Sequence, residues 1–240
     1  MQVFVETYET YNAVYDKILK GKVVVVIDTL RATSVITTAL VNGAKEVIPV
    51  ADIEDAINIS SHLERDTILL GGERNAVKIE GFDLSNSPLE YSEDVVKGKT
   101  IIITTTNGTR ALKKASSSDD VVVGCLLNVT SVADYIHREN KDVVIICAGT
   151  EGKFSIDDII TAGAILDRLE KLSPYESDDL SKASYFLYKS FQDNILNIMK
   201  YGYHLNRIEK LGFHEDVEFC TTIDKFSVVP KYVNGVVRLV

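Results

Sequence analysis

The chain has 240 residues, of which 45% are hydrophobic, and its 35 acidic and 26 basic side chains give a net charge of -9 at pH 7. This length allows one large α/β domain or two small ones with a substantial core, and the negative charge argues against nucleic acid and anionic membranes as partners. Apolar stretches are too short to span a bilayer and no signal peptide precedes them, so we expect a cytoplasmic protein. Its three cysteines are scattered outside any CxxC pair, which favours buried, reduced thiols over disulfides or a zinc site.

The first strong element is a run of β-branched residues at 23–27. It has no period-2 alternation, which is typical of a strand buried on both faces of a parallel sheet. Asp28 follows at its carboxyl end, a helix is predicted over 32–40 until Gly43 ends it, and a second strand is predicted at 46–50. The segment therefore predicts one βαβ unit.

Polar residues lie where this first strand meets its helix. Arg31, Thr33 and Ser34 stand at the predicted helix start, where free backbone N–H groups can bind an anion beyond the strand ends. The alternative is structural, with Asp28 capping the helix and pairing with Arg31. A functional role is favoured only if other strand ends repeat the pattern.

Further βα units follow along the chain. The remaining elements predicted before residue 172 are a strand at 2–5, a helix or extended segment at 8–19, helices at 52–63, 111–114 and 129–138, and strands at 67–70, 100–104, 121–126 and 142–148. These predict an α/β fold with a parallel-rich sheet of βα units flanked by helices.

The pattern of the first strand end recurs at three later ones. Glu73 and Arg74 follow one strand after two glycines, and residues 105–110 add hydroxyls, an amide and an arginine at a helix start. After the strand at 142–148, Ser155 can cap a helix whose first turn carries two aspartates. Each feature alone also fits an ordinary helix cap or a solvated acidic helix start.

The character of the chain changes after residue 172. A polar break at 173–179 precedes tyrosine- and leucine-rich helical segments over 180–211 and strands near 217–222 and 236–240. We therefore predict an α/β domain at 1–172 that carries the site, and a helical subdomain with closing strands at 173–240. We assign no catalytic or binding residue to this tail, residues 173–240. His204 and His214 fit surface positions as well as any other role.

Together the strand ends offer carboxylates, arginines and hydroxyl groups. Hard oxygen ligands suit Mg²⁺, which uses one or two carboxylates plus waters and substrate oxygens, and arginines with helix starts suit phosphate. This combination describes metal-assisted phosphoryl transfer. The GxxxxGK[ST], GxGxxG and HExxH motifs are absent, as is the second aspartate of haloacid-dehalogenase-type phosphatases.

Four motifs resemble the 2-phosphosulfolactate phosphatases of coenzyme M biosynthesis. They are Asp28-x-x-Arg31-Ala32-Thr33-Ser34; Gly72-Glu73-Arg74 with Gly81-Phe82-Asp83 and Asn86-Ser87-Pro88; Thr105-Thr106-Asn107-Gly108-Thr109-Arg110; and Cys147-Ala148-Gly149 leading to Asp157-Asp158. The resemblance implies Mg²⁺-dependent hydrolysis of 2-phospho-3-sulfolactate to 3-sulfolactate and phosphate. Asn75-Ala76 and Ser85 stand where relatives are expected to carry glycine, so we expect a differently shaped loop before Pro88.

Such a substrate carries about four negative charges, which an acidic protein must meet with local cations. As hypotheses we assign Mg²⁺ to Asp28, Glu73 and one of Asp157 or Asp158, with catalysis centred on Asp28, Arg31, Glu73 and Asp157. The phosphoryl group is assigned to Arg31, Thr33, Ser34 and the turn Asn107, Gly108 and Thr109, and the carboxylate or sulfonate to Arg74 and Arg110.

Three alternatives remain open at this stage. Asp28 either attacks phosphorus or holds the metal that activates a water. The substrate is phosphosulfolactate or another small phospho-acid, or the protein binds an anionic metabolite without turning it over. The sequence leaves the oligomeric state open, a homodimer included.

Overall fold

A computed structural model of the chain describes residues 2–239, which form an α/β fold with one 11-stranded sheet. The strands are β1 (Phe4–Tyr8), β2 (Val23–Ile27), β3 (Glu46–Val50), β4 (Ile68–Arg74), β5 (Val77–Lys78), β6 (Thr100–Thr104), β7 (Val121–Gly124), β8 (Val143–Cys147), β9 (Glu176–Ser177), β10 (Pro230–Val233) and β11 (Val236–Leu239). The helices are α1 (Ala32–Val41), α2 (Ile53–Ser60), α3 (Glu93–Val96), α4 (Gly108–Ala115), α5 (Val129–Glu139), α6 (Ile156–Leu172), α7 (Asp179–Phe191), α8 (Leu196–Met199), α9 (Tyr203–Lys210) and α10 (His214–Cys220).

The sheet consists of two parallel groups of strands joined by an antiparallel hairpin, with the short strand β5 added antiparallel at one edge. From edge to edge the order is β5-β4-β6-β3-β11-β10-β7-β2-β8-β1-β9. The pairs β4–β6 and β3–β6 are parallel, as are β7–β2, β2–β8, β8–β1 and β1–β9. Hairpin β10–β11 pairs antiparallel with β7 on one side and β3 on the other. The predicted parallel-rich sheet is confirmed.

Strand β2 is buried on both faces, as its lack of alternation predicts. All five of its residues have no exposed surface. Val23, Val25 and Ile27 belong to one core cluster with residues of α5 and α6, whereas Val24 and Val26 belong to another with residues of α1 and α4. Because successive side chains point to opposite faces, a strand between two helical layers needs an apolar residue at every position.

Helices α6 and α7 approach closely enough to require a glycine at the contact. A Cβ added to Gly163 would lie 2.0 Å from the Ser184 carbonyl oxygen. The tail therefore packs directly on the βα units. Tyr188 of α7 is buried, and Tyr185 and Phe191 are partly buried against the same cluster.

Two predicted elements have a different form. The strand predicted near 217–222 is wrong, because residues 214–220 form helix α10, which buries Asp216, Val217 and Cys220 at helical spacing. β-branched and aromatic content alone predicts a strand only weakly, because packing against neighbouring elements overrides it. Near the N-terminus the strand is Phe4–Tyr8 rather than 2–5, and two single 3₁₀ turns, Tyr11–Ala13 and Asp16–Ile18, cover the segment after it.

The segment after residue 172 contributes to the same sheet as the segment before it. Strands β10 and β11 lie in the middle of the strand order and β9 lies at one edge, so the sheet does not divide at residue 172. Within residues 2–239 no helix combines the length and the apolar character needed to cross a membrane.

Candidate active site

A cavity open to solvent lies beyond the carboxyl ends of the parallel strands. The segments after β2, β6 and β8, the β4–β5 turn, the loop before α3 and helix α9 supply its walls. Its lining residues are Asp28, Leu30, Arg31, Glu73, Asn75, Ala76, Asn86, Thr106, Asn107, Thr150, Glu151, His204, Arg207 and Ile208. The strand-end prediction thus places Asp28, Arg31, Glu73 and Asn107 at one site.

Asp28 presents one free carboxylate oxygen to this cavity. Its Oδ1 accepts a hydrogen bond from the Ala32 N–H at 3.2 Å, and its own N–H donates to Thr33 Oγ1 at 3.0 Å. Within residues 2–239, Oδ2 accepts no hydrogen bond. Burial, opposed by His204 and the Ala32 N–H and aided by the charges of Asp157 and Glu73, raises the pKa of Asp28 to about 6. A cation at Oδ2 would favour the ionised form.

The start of helix α4 packs directly against Asp28. A Cβ added to Gly108 would lie 2.5 Å from Ala32 Cβ and 2.6 Å from Asp28 Oδ2. A glycine at this position therefore lets the turn after β6 approach the carboxylate. Asn107, the residue before it, lines the cavity.

Glu73 joins two loops of the site through its carboxylate. Oε2 accepts a hydrogen bond from the Ala76 N–H at 2.6 Å, and Oε1 accepts one from the Thr106 N–H at 2.7 Å. Asn75 and Ala76 adopt φ values of 56° and 66°. That left-handed conformation favours glycine, and glycine at these two positions in relatives stays a prediction.

The two aspartates at the start of α6 lie behind the cavity and do not line it. Asp158 accepts hydrogen bonds from the Thr29 and Gly149 N–H groups, both at 2.9 Å, and so ties the ends of β2 and β8 together. Burial, with the charges of Asp157 and Asp28, raises the pKa of Asp158 well above its usual value. Ser155 stands at the predicted cap position, but its hydroxyl donates to Asp157 Oδ1 instead of capping the backbone. A metal bound by either aspartate stays a prediction.

Arg31 lies at the base of the cavity and is almost fully buried. One of its terminal nitrogens pairs with Asp216 of α10, the other donates to the Ala76 carbonyl oxygen at 3.2 Å, and the guanidinium lies 4.2 Å from the Phe213 ring centroid. Asp216 also accepts a hydrogen bond from Ser87 Oγ at 2.5 Å. The Asp28–Arg31 pairing that we considered is not present, since Arg31 pairs with the tail instead.

The hydroxyl groups assigned to phosphate are buried and satisfied within the fold. Thr33 accepts from the Asp28 N–H, Ser34 donates to the Thr29 carbonyl oxygen at 2.8 Å, and Thr109 donates to the Thr105 carbonyl oxygen at 3.1 Å. Their contacts fix the two turns that hold Asp28 and Asn107. Direct contact between these hydroxyls and phosphate stays a prediction.

Arg74 and Arg110, assigned to the carboxylate or sulfonate, point elsewhere. Arg74 donates to the Ala51 carbonyl oxygen at 3.1 Å and to Thr104 Oγ1 at 2.9 Å. Arg110 is about half exposed and pairs with Asp52 at 3.1 Å. Neither residue lines the cavity.

The tail supplies site residues that the sequence analysis missed. His204 and Arg207 of α9 line the cavity, and the His204 Nε2–H donates to the Leu30 carbonyl oxygen. Arg207 pairs with Glu151 at 2.8 Å. The spacing of three residues between His204 and Arg207 places both side chains on one face of α9, but no local motif shows which strand ends that face meets.

The donor set suits Mg²⁺ better than a metal that needs many protein ligands. No group of three or more His, Cys, Asp and Glu side chains in residues 2–239 is arranged to hold a metal. Mg²⁺ commonly keeps several waters and uses one or two carboxylates with substrate oxygens. The free Oδ2 of Asp28, with the Glu73 carboxylate at the same cavity, meets that requirement.

Comparison with known proteins identifies the family. A family model described as 2-phosphosulpholactate phosphatase matches residues 8–235. The chain belongs to this family. A relative from Caldanaerobacter subterraneus subsp. tengcongensis, named "Probable 2-phosphosulfolactate phosphatase", is 68% identical over 98% of both chains. Relatives with the same name from Clostridium acetobutylicum and Caldicellulosiruptor saccharolyticus are 50% and 47% identical, over 90% and 98% of this chain and 92% and 98% of theirs.

The 2-phosphosulfolactate phosphatase match extends further along the chain than the four motifs, the last of which ends at Asp158. It includes α9 and α10, and hence His204, Arg207 and Asp216. The tail residues that complete the cavity therefore lie within the family region.

Proposed function

We propose that this protein is a cytoplasmic, Mg²⁺-dependent phosphatase that hydrolyses 2-phospho-3-sulfolactate to 3-sulfolactate and phosphate, in coenzyme M or sulfolactate biosynthesis. Membership of the 2-phosphosulfolactate phosphatase family supports the substrate. The observation that carries the proposal is Asp28 itself, which lines the cavity at the carboxyl end of β2 and whose Oδ2 accepts no hydrogen bond from residues 2–239.

Asp28, Glu73 and Asn107 have distinct roles in the proposed reaction. Asp28 and Glu73 would hold Mg²⁺, which supplies charge neutralisation for the phosphoryl oxygens when bound. Asp28 is oriented by the Ala32 N–H, and Glu73 keeps the loops of Ala76 and Thr106 in place around it. Asn107, which lines the cavity just before α4, would donate a hydrogen bond to the phosphoryl group.

The test is phosphate release from 2-phosphosulfolactate by the intact protein with Mg²⁺, with EDTA, and with Asp28→Asn. We expect turnover with Mg²⁺ and its loss in both other conditions. Asp55→Asn is the matched control, because Asp55 is an exposed aspartate on α2, away from the cavity. Absence of turnover by the Mg²⁺-loaded protein would reject the named substrate.

Stereochemistry at phosphorus separates the two parts that Asp28 could take. If Asp28 is the nucleophile, two in-line displacements retain the configuration of a chiral phosphoryl group, and a phosphorylated Asp28 can be trapped. If Asp28 only holds the metal, a single direct attack by water inverts that configuration.

A further inference from the structure

The cavity contains more negative than positive charge before any ligand is considered. Asp28, Glu73 and Glu151 line it, against Arg31 and Arg207. The positive charge of Arg31 is already neutralised by its ion pair with Asp216, whose side chain is 3% exposed. A substrate with about four negative charges therefore needs Mg²⁺ and a cation that can leave its present partner.

Arg207 has the contacts expected of such a cation. Its side chain is 28% exposed, and its partner Glu151 is 53% exposed. Because an ion pair open to water is weak, a ligand anion can replace Glu151 without leaving a buried charge behind. The other terminal nitrogen of Arg207 lies 3.4 Å from Asn75 Oδ1.

The position of Arg207 suits recognition of the part of the substrate that does not react. Helix α9 places it between the turn at Glu151, after β8, and the turn at Asn75, after β4. Asp28 directly follows β2, one of the strands between β4 and β8 in the sheet order, and also lines the cavity. An arginine fork at such a wall matches the oxygens of a carboxylate or sulfonate.

We propose that Arg207 is the residue that binds the carboxylate or sulfonate of the substrate, and that Glu151 is the internal counter-ion which the substrate displaces. This inference rests on the proposed function. It assigns to Arg207 the binding of the carboxylate or sulfonate, for which the sequence analysis predicted Arg74 and Arg110. Arg207 thereby distinguishes phosphorylated acids from simple phosphomonoesters, while the chemistry at Asp28 is common to both.

The experiment compares steady-state kinetics of the intact, Mg²⁺-loaded protein with 2-phosphosulfolactate and with phenyl phosphate, which lacks a second acidic group. Arg207→Gln should raise KM for 2-phosphosulfolactate by about 10- to 100-fold, with kcat little changed. The same variant should leave kcat/KM for phenyl phosphate within about twofold. Glu151→Gln should lower KM for 2-phosphosulfolactate.

Lys210→Gln is the matched control, since it removes the same charge from an exposed position on the same helix. It should change neither KM, which separates local contact from the loss of net charge. An equal effect of Arg207→Gln on both substrates, or an effect no larger than that of Lys210→Gln, would overturn the inference.

Calorimetric titration with 3-sulfolactate gives a readout that needs no turnover. Binding by the unaltered protein that weakens about tenfold or more in Arg207→Gln supports the inference even if 2-phosphosulfolactate is not hydrolysed. Equal binding by both proteins overturns the inference and leaves the phosphatase proposal standing on its own assay. If the unaltered protein neither binds 3-sulfolactate nor releases phosphate, both proposals fail.

Discussion

Arg31 and Asp216 depend on each other because water is excluded from both. Their side chains are 1% and 3% exposed, and Ser87 donates the second hydrogen bond to Asp216. The pair connects the start of α1, beside Asp28, to α10 near the end of the chain. The ion pair stabilises the folded state little more than an apolar pair would, but loss of one partner leaves a buried, uncompensated charge.

Asp216→Asn should therefore destabilise the protein strongly. The substitution keeps the shape of the side chain and removes the charge that Arg31 requires, so we expect the free energy of unfolding to fall by about 3–5 kcal/mol. Urea denaturation measures this change. Glu215→Gln is the control, because Glu215 is exposed on the same helix, and should lie within about 0.5 kcal/mol of the unaltered protein. A similar small change for Asp216→Asn would contradict the argument.

Individual site residues divide into those that a local pattern could find and those that it could not. Asp28 and Glu73 follow apolar strands, and strand ends of a parallel sheet meet at one edge, so their convergence could be predicted. Arg74 and Arg110 have the same local pattern, yet their side chains bond to neighbouring loops. Arg207 and Asp216 lie in a tail whose docking depends on tertiary contacts, which a single sequence does not show.

Among the elements, the C-terminal hairpin is fastened to the sheet by charged contacts at both of its edges. On one side Lys231 lies 2.9 Å from Asp120 Oδ1, which also accepts from the Tyr135 hydroxyl at 2.6 Å. On the other side the Arg238 Nε–H donates to Glu46 at 3.0 Å. The ladder itself is short, with two paired residues on β7 and one on β3, so these side chains add contacts that the backbone pairing lacks.

The Asp120 contacts should make the stability of the protein depend on pH. Burial alone would raise the pKa of Asp120, but hydrogen bonds from Tyr135 and Lys231 outweigh it and hold the pKa below its usual value. A carboxyl with a depressed pKa in the folded state contributes stability above its unfolded pKa of about 3.9, and loses it as the pH falls through the folded value.

Asp120→Asn should consequently lower the free energy of unfolding at pH 7 by about 1–2 kcal/mol. The difference from the unaltered protein should shrink as the pH falls below about 4. Urea titrations at several pH values test both statements, with Asp119→Asn at the exposed neighbouring position as the control. A difference that stays constant down to pH 3 would exclude the charged contact as its cause.

Buried parallel strands are the elements that the sequence predicts best, because continuous β-branched runs have few other uses in a soluble protein. Strands β2 and β6 lie at the predicted residues. Only the second strand of hairpin β10–β11 was predicted, although Asn234-Gly235 is a strong signal of a two-residue turn. Both residues have positive φ, 50° and 84°, as that turn requires. The place of the hairpin, between β3 and β7, is set by tertiary contacts far along the chain.

For the whole molecule, the hairpin is the connection between two parallel groups of strands. The site draws on both groups, since Glu73 and Asn107 follow β4 and β6 whereas Asp28 and Glu151 follow β2 and β8. Tyr232 and Val237 of the hairpin are buried in the same cluster as Val47 of β3 and Val121 of β7. The distance between the cavity walls that the two strand groups supply therefore depends on hairpin β10–β11.

Deletion of residues 230–240 should abolish the folded state instead of removing a peripheral element. Without the hairpin, β3 and β7 become unpaired edges and their shared apolar cluster opens to water. We expect the truncated chain to show no cooperative urea transition by circular dichroism. Val237→Ala should stay cooperative but lose about 2 kcal/mol, and Val233→Ala, at a half-exposed position, should lose about 0.5 kcal/mol or less. A truncated protein that unfolds cooperatively near the midpoint of the full chain would show that the two strand groups hold together without the hairpin.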